Sequence, residues 1–235
     1  MKEKSIFFNP FRLISPTVDF EASRIQELYE TRPGEVTSLE EGLLVMCSKL
    51  IEMTQLIHKM LLMHDPSKLE RCELLAKEIH DEEKKLTSEL VRSSGAAGEV
   101  LRAVVLFPGR LERIGDLLES ILNVCRIKAR DDILFSDRAQ AELAQVFELF
   151  ADMLKNFRDV LTTRNKTLLE HIISEANQVT QRVLDFNVAH EERLCDGLCS
   201  PRASSLYLDI LDSIRYANHH LLGMCESLLA IAKTE

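Results

Sequence analysis

Glu112 and Asp116, four residues apart in the stretch Gly109-Arg110-Leu111-Glu112-Arg113-Ile114-Gly115-Asp116-Leu117-Leu118-Glu119, are the residues whose types and spacing could do chemistry. On a helix that spacing puts both carboxylates on one face, one turn apart, with Glu119 on the same side. Leu111, Ile114, Leu118, Ile121 and Leu122 form the apolar stripe beside them. Like charges at this spacing repel mildly in water, but a hard cation between them would be held by carboxylate oxygens. The spacing is most often that of a solvated acidic helix face, and less often that of a seat for a cation.

Other chemistries lack their residues. A ferritin-like di-metal centre needs Glu-x-x-His pairs, and no Glu in the chain has His three residues later. No nucleophile elbow and no phosphate-cradling Gly loop is present, so an enzyme is not expected, and motif reading offers no phosphate site. Of six cysteines, Cys47, Cys72, Cys125 and Cys225 fall in apolar stripes as small hydrophobes. Cys195 and Cys199 have no companion pair at zinc spacing. The formal net charge of -9 disfavours nucleic-acid backbones and anionic lipid. No apolar run approaches the roughly 20 residues that span a bilayer, and Met1 to Leu13 lacks the form of a signal peptide, so no membrane insertion is expected.

The elements that must position these residues are helical. Hydrophobic residues make up 46 % of the 235, with only 8 Gly, 6 Pro and no Trp, which is a helical composition. Residues 1–36 read as an arm with a short helix over Thr17 to Tyr29, held on the body by Phe7, Phe8 and Phe11. Helix 1 is expected from Ser38, boxed by Glu41, with a seam of Leu39, Leu43, Met46, Leu50, Met53, Ile57 and Leu61. Pro66 opens helix 2, which runs to Arg92. Helix 3 is expected from Glu99 to Arg130, kinked at Pro108-Gly109. Ser136 caps helix 4, with Leu143, Val146, Phe147, Phe150, Leu154 and Phe157 facing the core. Helix 5 runs from Asn165 to Asp196, and Pro201 opens helix 6, which ends near Lys233. Helices of about 27 residues are about 40 Å long, and short connections make neighbours antiparallel.

Leu111-Glu112-Arg113-Ile114-Gly115-Asp116 resembles the signature of the PhoU family of phosphate-uptake regulators, an E-or-D-x-x-x-D motif on the third helix of each of two three-helix repeats. His190-Glu191-Glu192-Arg193-Leu194-Cys195-Asp196-Gly197-Leu198-Cys199-Ser200, followed by Ser205-Leu206-Tyr207-Leu208-Asp209-Ile210-Leu211-Asp212, is similar to the end of the PhoU-like cytosolic domain of bacterial sodium/phosphate cotransporters. The resemblance covers roughly residues 38 to 233. It implies an all-α fold of two consecutive three-helix bundles, with repeats over 37–132 and 133–235 after the arm.

The resemblance also implies a site. In that family carboxylates of the motif hold iron or divalent cations, which carries over to Glu112 and Asp116, supported on helix 2 by Glu78 and Asp81. Lys84 and Arg110 stand where Asp is usual. In the second repeat the motif positions fall on Ile214 and Asn218, which offer no anionic oxygen. Asp209, Asp212, His219 and Glu175 remain near that face, so a second, weak site would rest on Asp209, Asp212 and His219. At most one specific metal site per chain is expected, in the first repeat. The implied role is a cytoplasmic regulator or accessory protein of membrane phosphate transport, at most peripheral to the inner face of the membrane. Its partner would be a phosphate transporter or its sensor kinase, and it could form a homodimer. The rivals are a helical protein whose bound cation is the functional element, and a helical adaptor unrelated to phosphate.

Overall fold

The computed structural model describes residues 33–63, 66–93 and 104–234. Of the expected arm, residues 1–32, with the short helix and the three phenylalanines, lie outside them, while residues 33–36 belong to the first helix. The described chain forms six long helices: α1 (Pro33–Met63), α2 (Leu69–Ser93), α3 (Phe107–Arg130), α4 (Asp137–Thr163), α5 (Lys166–Cys195) and α6 (Pro201–Thr234). A single 3-10 turn, Pro66–Lys68, leads into α2. No strand occurs among the described residues.

Local signals place most of the ends. Ser136 is extended and its hydroxyl accepts a hydrogen bond from Ala139 N at 3.3 Å, which caps α4. Arg164, left-handed at φ 55, closes α4, and Asn165 caps α5 by accepting from Leu168 N at 3.0 Å. Gly197, at φ 70, ends α5 in the left-handed conformation that glycine adopts without strain, while Leu198 N reaches back to Arg193 O at 2.9 Å. Ser200 Oγ then accepts from Ala203 N, one turn into α6.

Two boundaries differ from the sequence reading. α1 begins at Pro33, not at Ser38; proline fits a first helical position, where no amide hydrogen is needed. Pro108 does not kink α3 but lies in its first turn, because the helix starts at Phe107. The segment read as the first turns of helix 3, from Glu99, lies outside the described residues up to 103.

The helices pack as two triples. α1, α2 and α3 contact one another, as do α4, α5 and α6, and the halves meet along α1–α4 and α3–α6. The four inner helices therefore form the middle of the molecule, with α2 and α5 on its flanks. One hydrophobic cluster runs through both halves. The whole α1 seam from Leu39 to Leu61 is buried, as are Leu111, Ile114, Leu118, Ile121 and Leu122 of α3 and the expected face of α4. Rings stitch the halves together: His58 of α1 stacks on Phe147 of α4 at 5.5 Å, and Phe107 of α3 meets Phe157 of α4 at 6.1 Å.

Candidate functional site

On α3 the buried stripe leaves Glu112 and Asp116 along its edge, both half-buried, as the spacing requires. Their partners, however, are other side chains. His80 Nδ1 of α2 lies 3.1 Å from Glu112 Oε1, at hydrogen-bond distance. Asp116 Oδ2 accepts from Arg113 Nη1 at 3.2 Å. Glu78 pairs with Lys49 of α1 at 3.1 Å. Glu78 thus lies on the α1 flank of α2, whereas His80, two residues on, faces α3; residues two apart on a helix do not share a face. Asp81 is exposed. The four carboxylates do not converge, and among the described residues no three of His, Cys, Asp and Glu gather as a metal-holding group. A cation there would compete with Lys49 and Arg113 and would find too few oxygens for a hard ion. The residues present do not fit the metal set that the resemblance implies.

The second set does not gather either. Asp212 is paired with Arg215 at 2.8 Å, and Glu175 with His171 at 3.4 Å. Asp209 is exposed. Ten residues of helix separate Asp209 from His219, about 15 Å of rise, too far for one ion. His219 lies instead beside His220, Arg110 and Arg113, surroundings that repel a cation. The motif positions are interior: Ile214 and Asn218 are both 0 % exposed. Asn218 Nδ2 donates to Ala176 O at 2.7 Å and Thr180 Oγ1 at 3.1 Å, tying α6 to α5.

A buried ionic cluster holds the other end of the second triple. Glu142 of α4, only 4 % exposed, takes two hydrogen bonds from Arg193 of α5, at 3.0 and 2.7 Å. Tyr207 Oη of α6 donates to Glu142 Oε2 at 2.6 Å, and Arg138 Nε to Oε1 at 3.0 Å. The His190 ring lies 4.6 Å from that of Tyr207. Burial alone would raise the Glu142 carboxyl, but the hydrogen bonds from Arg193, Tyr207 and Arg138 overcome it and hold the group below its ordinary value. Burial and the hydrogen bond to Glu142 push the Tyr207 phenol up. Burial, then the Arg193 charge, push His190 down, in keeping with ring nitrogens that are buried without partners. The stretch from His190 to Tyr207 thus supplies a three-helix clamp. Its members are side chains fixed on one another.

Sequence reading missed Glu142 and His80. Glu142 carried a signal: it falls on the same face of α4 as Ala139, Leu143 and Val146, where an unpartnered charge would be too costly. Arg138 is one turn away, but the buried partners of Glu142 lie 51 and 65 residues away, beyond any motif.

This arrangement defines a class: an all-α protein of two three-helix bundles joined along their inner helices. The fold is PhoU-like. A crystal structure of PhoU from Pseudomonas aeruginosa matches with a TM-score of 0.80 at 13 % identity, over 86 % of this chain and 99 % of that one. The phosphate transport system regulatory protein PhoU from Streptococcus pneumoniae matches with a TM-score of 0.75 at 16 % identity, over 86 % of this chain and 96 % of that one. No family model and no curated protein matches the sequence.

Proposed function

We propose that this protein is a regulator of membrane phosphate transport that works by protein–protein contact on a transporter or its sensor kinase, from the cytoplasmic side. The observation that carries this reading is the PhoU-like fold across most of the chain, matched to a protein described as a phosphate transport system regulator. No described helix is long and apolar enough to cross a membrane, so influence on a transporter would come from outside the bilayer. A contact that favours one transporter state shifts its population in proportion to the difference in affinity for the two states. The side chains of the PhoU-like motif serve this reading as packing and pairing groups, since Glu112 meets His80 of α2 and Asp116 pairs with Arg113 within α3.

Crosslinking in living cells, followed by mass spectrometry of what is joined to this chain, tests the contact. The expected partners are a phosphate transporter or a component of its sensing system. Crosslinks confined to proteins unconnected with phosphate would put the helical adaptor in its place.

A further inference from the structure

Where α3 meets α6, the surface carries an open depression of about 420 Å³ lined by Leu106, Gly109, Arg110, Arg113, His219 and His220. Two guanidinium groups and two imidazoles converge there in a chain whose net charge is -9. Arg113 spends one N–H on Asp116. Arg110 is half-buried and has no carboxylate partner among the described residues. Its guanidinium lies against the backbone of Gly223, so closely that a Cβ there would collide with Nη1. The glycine thus lets the charged group lie down at the wall of the depression. Burial first, and then the charges of His219, Arg110 and Arg113, push His220 below its ordinary value. The lining groups therefore repel one another, which is a cost that a bound anion would reverse.

We propose that this depression binds a phosphoryl oxyanion, either inorganic phosphate or the phosphate group of a small phosphorylated molecule. The planar guanidinium fork matches the oxygens of a tetrahedral oxyanion with paired, charge-assisted hydrogen bonds. Two guanidinium groups beside one space, with imidazole N–H donors next to them, favour a doubly charged anion over a single carboxylate. The volume falls in the range of small-molecule sites and exceeds what a monatomic ion would fill. No motif shows the site, because its two halves come from helices distant in sequence. The inference stands on the depression alone and is independent of the regulatory role proposed above.

The test is isothermal titration of the full chain in chloride buffer with inorganic phosphate, AMP and ATP, each separately. At least one should bind saturably with one equivalent per chain. Arg110→Gln should weaken that binding by about tenfold or more, the usual effect of losing a charge-assisted hydrogen bond. His220→Gln, which leaves Arg110 in place, should weaken it by a smaller factor, and Lys155→Gln, a charge removed from the outer surface of α4, should leave it unchanged. Binding of inorganic phosphate alone would identify the free ion, and tighter binding of a nucleotide would identify an organic phosphate. No saturable binding of any of the three, or equal binding by the Arg110→Gln and wild-type chains, would overturn the proposal.

Discussion

Replacing Arg193 by Met should be among the most damaging single changes outside the apolar core. Arg193 supplies two of the four hydrogen bonds on the Glu142 carboxylate, and both groups are largely buried. Its loss leaves an anion in the interior with only Tyr207 and the outward-lying Arg138 as partners. Breaking a buried pair in this way costs about 3–5 kcal/mol, against less than about 1 kcal/mol for an exposed one such as Lys155–Asp152. In urea the Arg193→Met midpoint should fall by about 1–2 M for a chain of this size. Removing the carboxylate together with both of its buried partners is a different perturbation. Glu142→Leu/Arg193→Met/Tyr207→Phe leaves no orphaned charge and no stranded hydroxyl, and should be at least as stable as Arg193→Met alone by several kcal/mol. The pH dependence has a definite sign. Glu142 is held below its unfolded value of 4.5, so its contribution is complete above that pH and disappears as pH falls through the folded value. The gap between wild type and Glu142→Gln should narrow accordingly in acid. An Arg193→Met midpoint within experimental error of wild type would refute the reasoning.

His190, pushed below its ordinary 6.5, stays neutral in the fold while the unfolded chain takes up a proton, so stability should decline as pH drops below about 6.5; His190→Phe should flatten that decline in pH-dependent melts. Phe157→Ala, at a ring fully buried between the halves, should cost about 3–5 kcal/mol in chemical unfolding. Among the thiols Cys195 should react first with a chromogenic disulfide; burial raises Cys47, Cys125 and Cys225 to about 12 and Cys72 to about 11, so these should react only on unfolding. Equilibrium dialysis against manganese or iron should show no stoichiometric site that Glu112→Gln/Asp116→Asn abolishes; such a site would restore the carboxylate seat.

The fold was legible because its signals are local. The three-four seam of α1 names its buried face residue by residue, and Ser136, Asn165, Gly197 and Pro201 mark helix ends by their own backbone preferences. Pro108 reads as a kink in the sequence but opens α3, because a proline signals a helix start and a helix kink with the same residue and only the chain before it decides. The site was far less legible. Spacing put Glu112 and Asp116 on one edge, but it could not say that His80 and Arg113 would meet them there. Glu78 and Asp81 were chosen by charge, whereas the angle around α2 turns Glu78 to Lys49. His219 looked like a cation ligand until the contact of α3 with α6 set it beside two arginines.

Phosphate uptake by cells lacking this protein tests the regulatory role most directly, measured with radiolabelled phosphate in rich and starved medium and repeated after the gene is restored. The account predicts an altered uptake rate or an altered starvation response in the deletion strain, reversed by the restored chain. Unchanged uptake and an unchanged starvation response, in cells shown to make the protein under the same conditions, would contradict it.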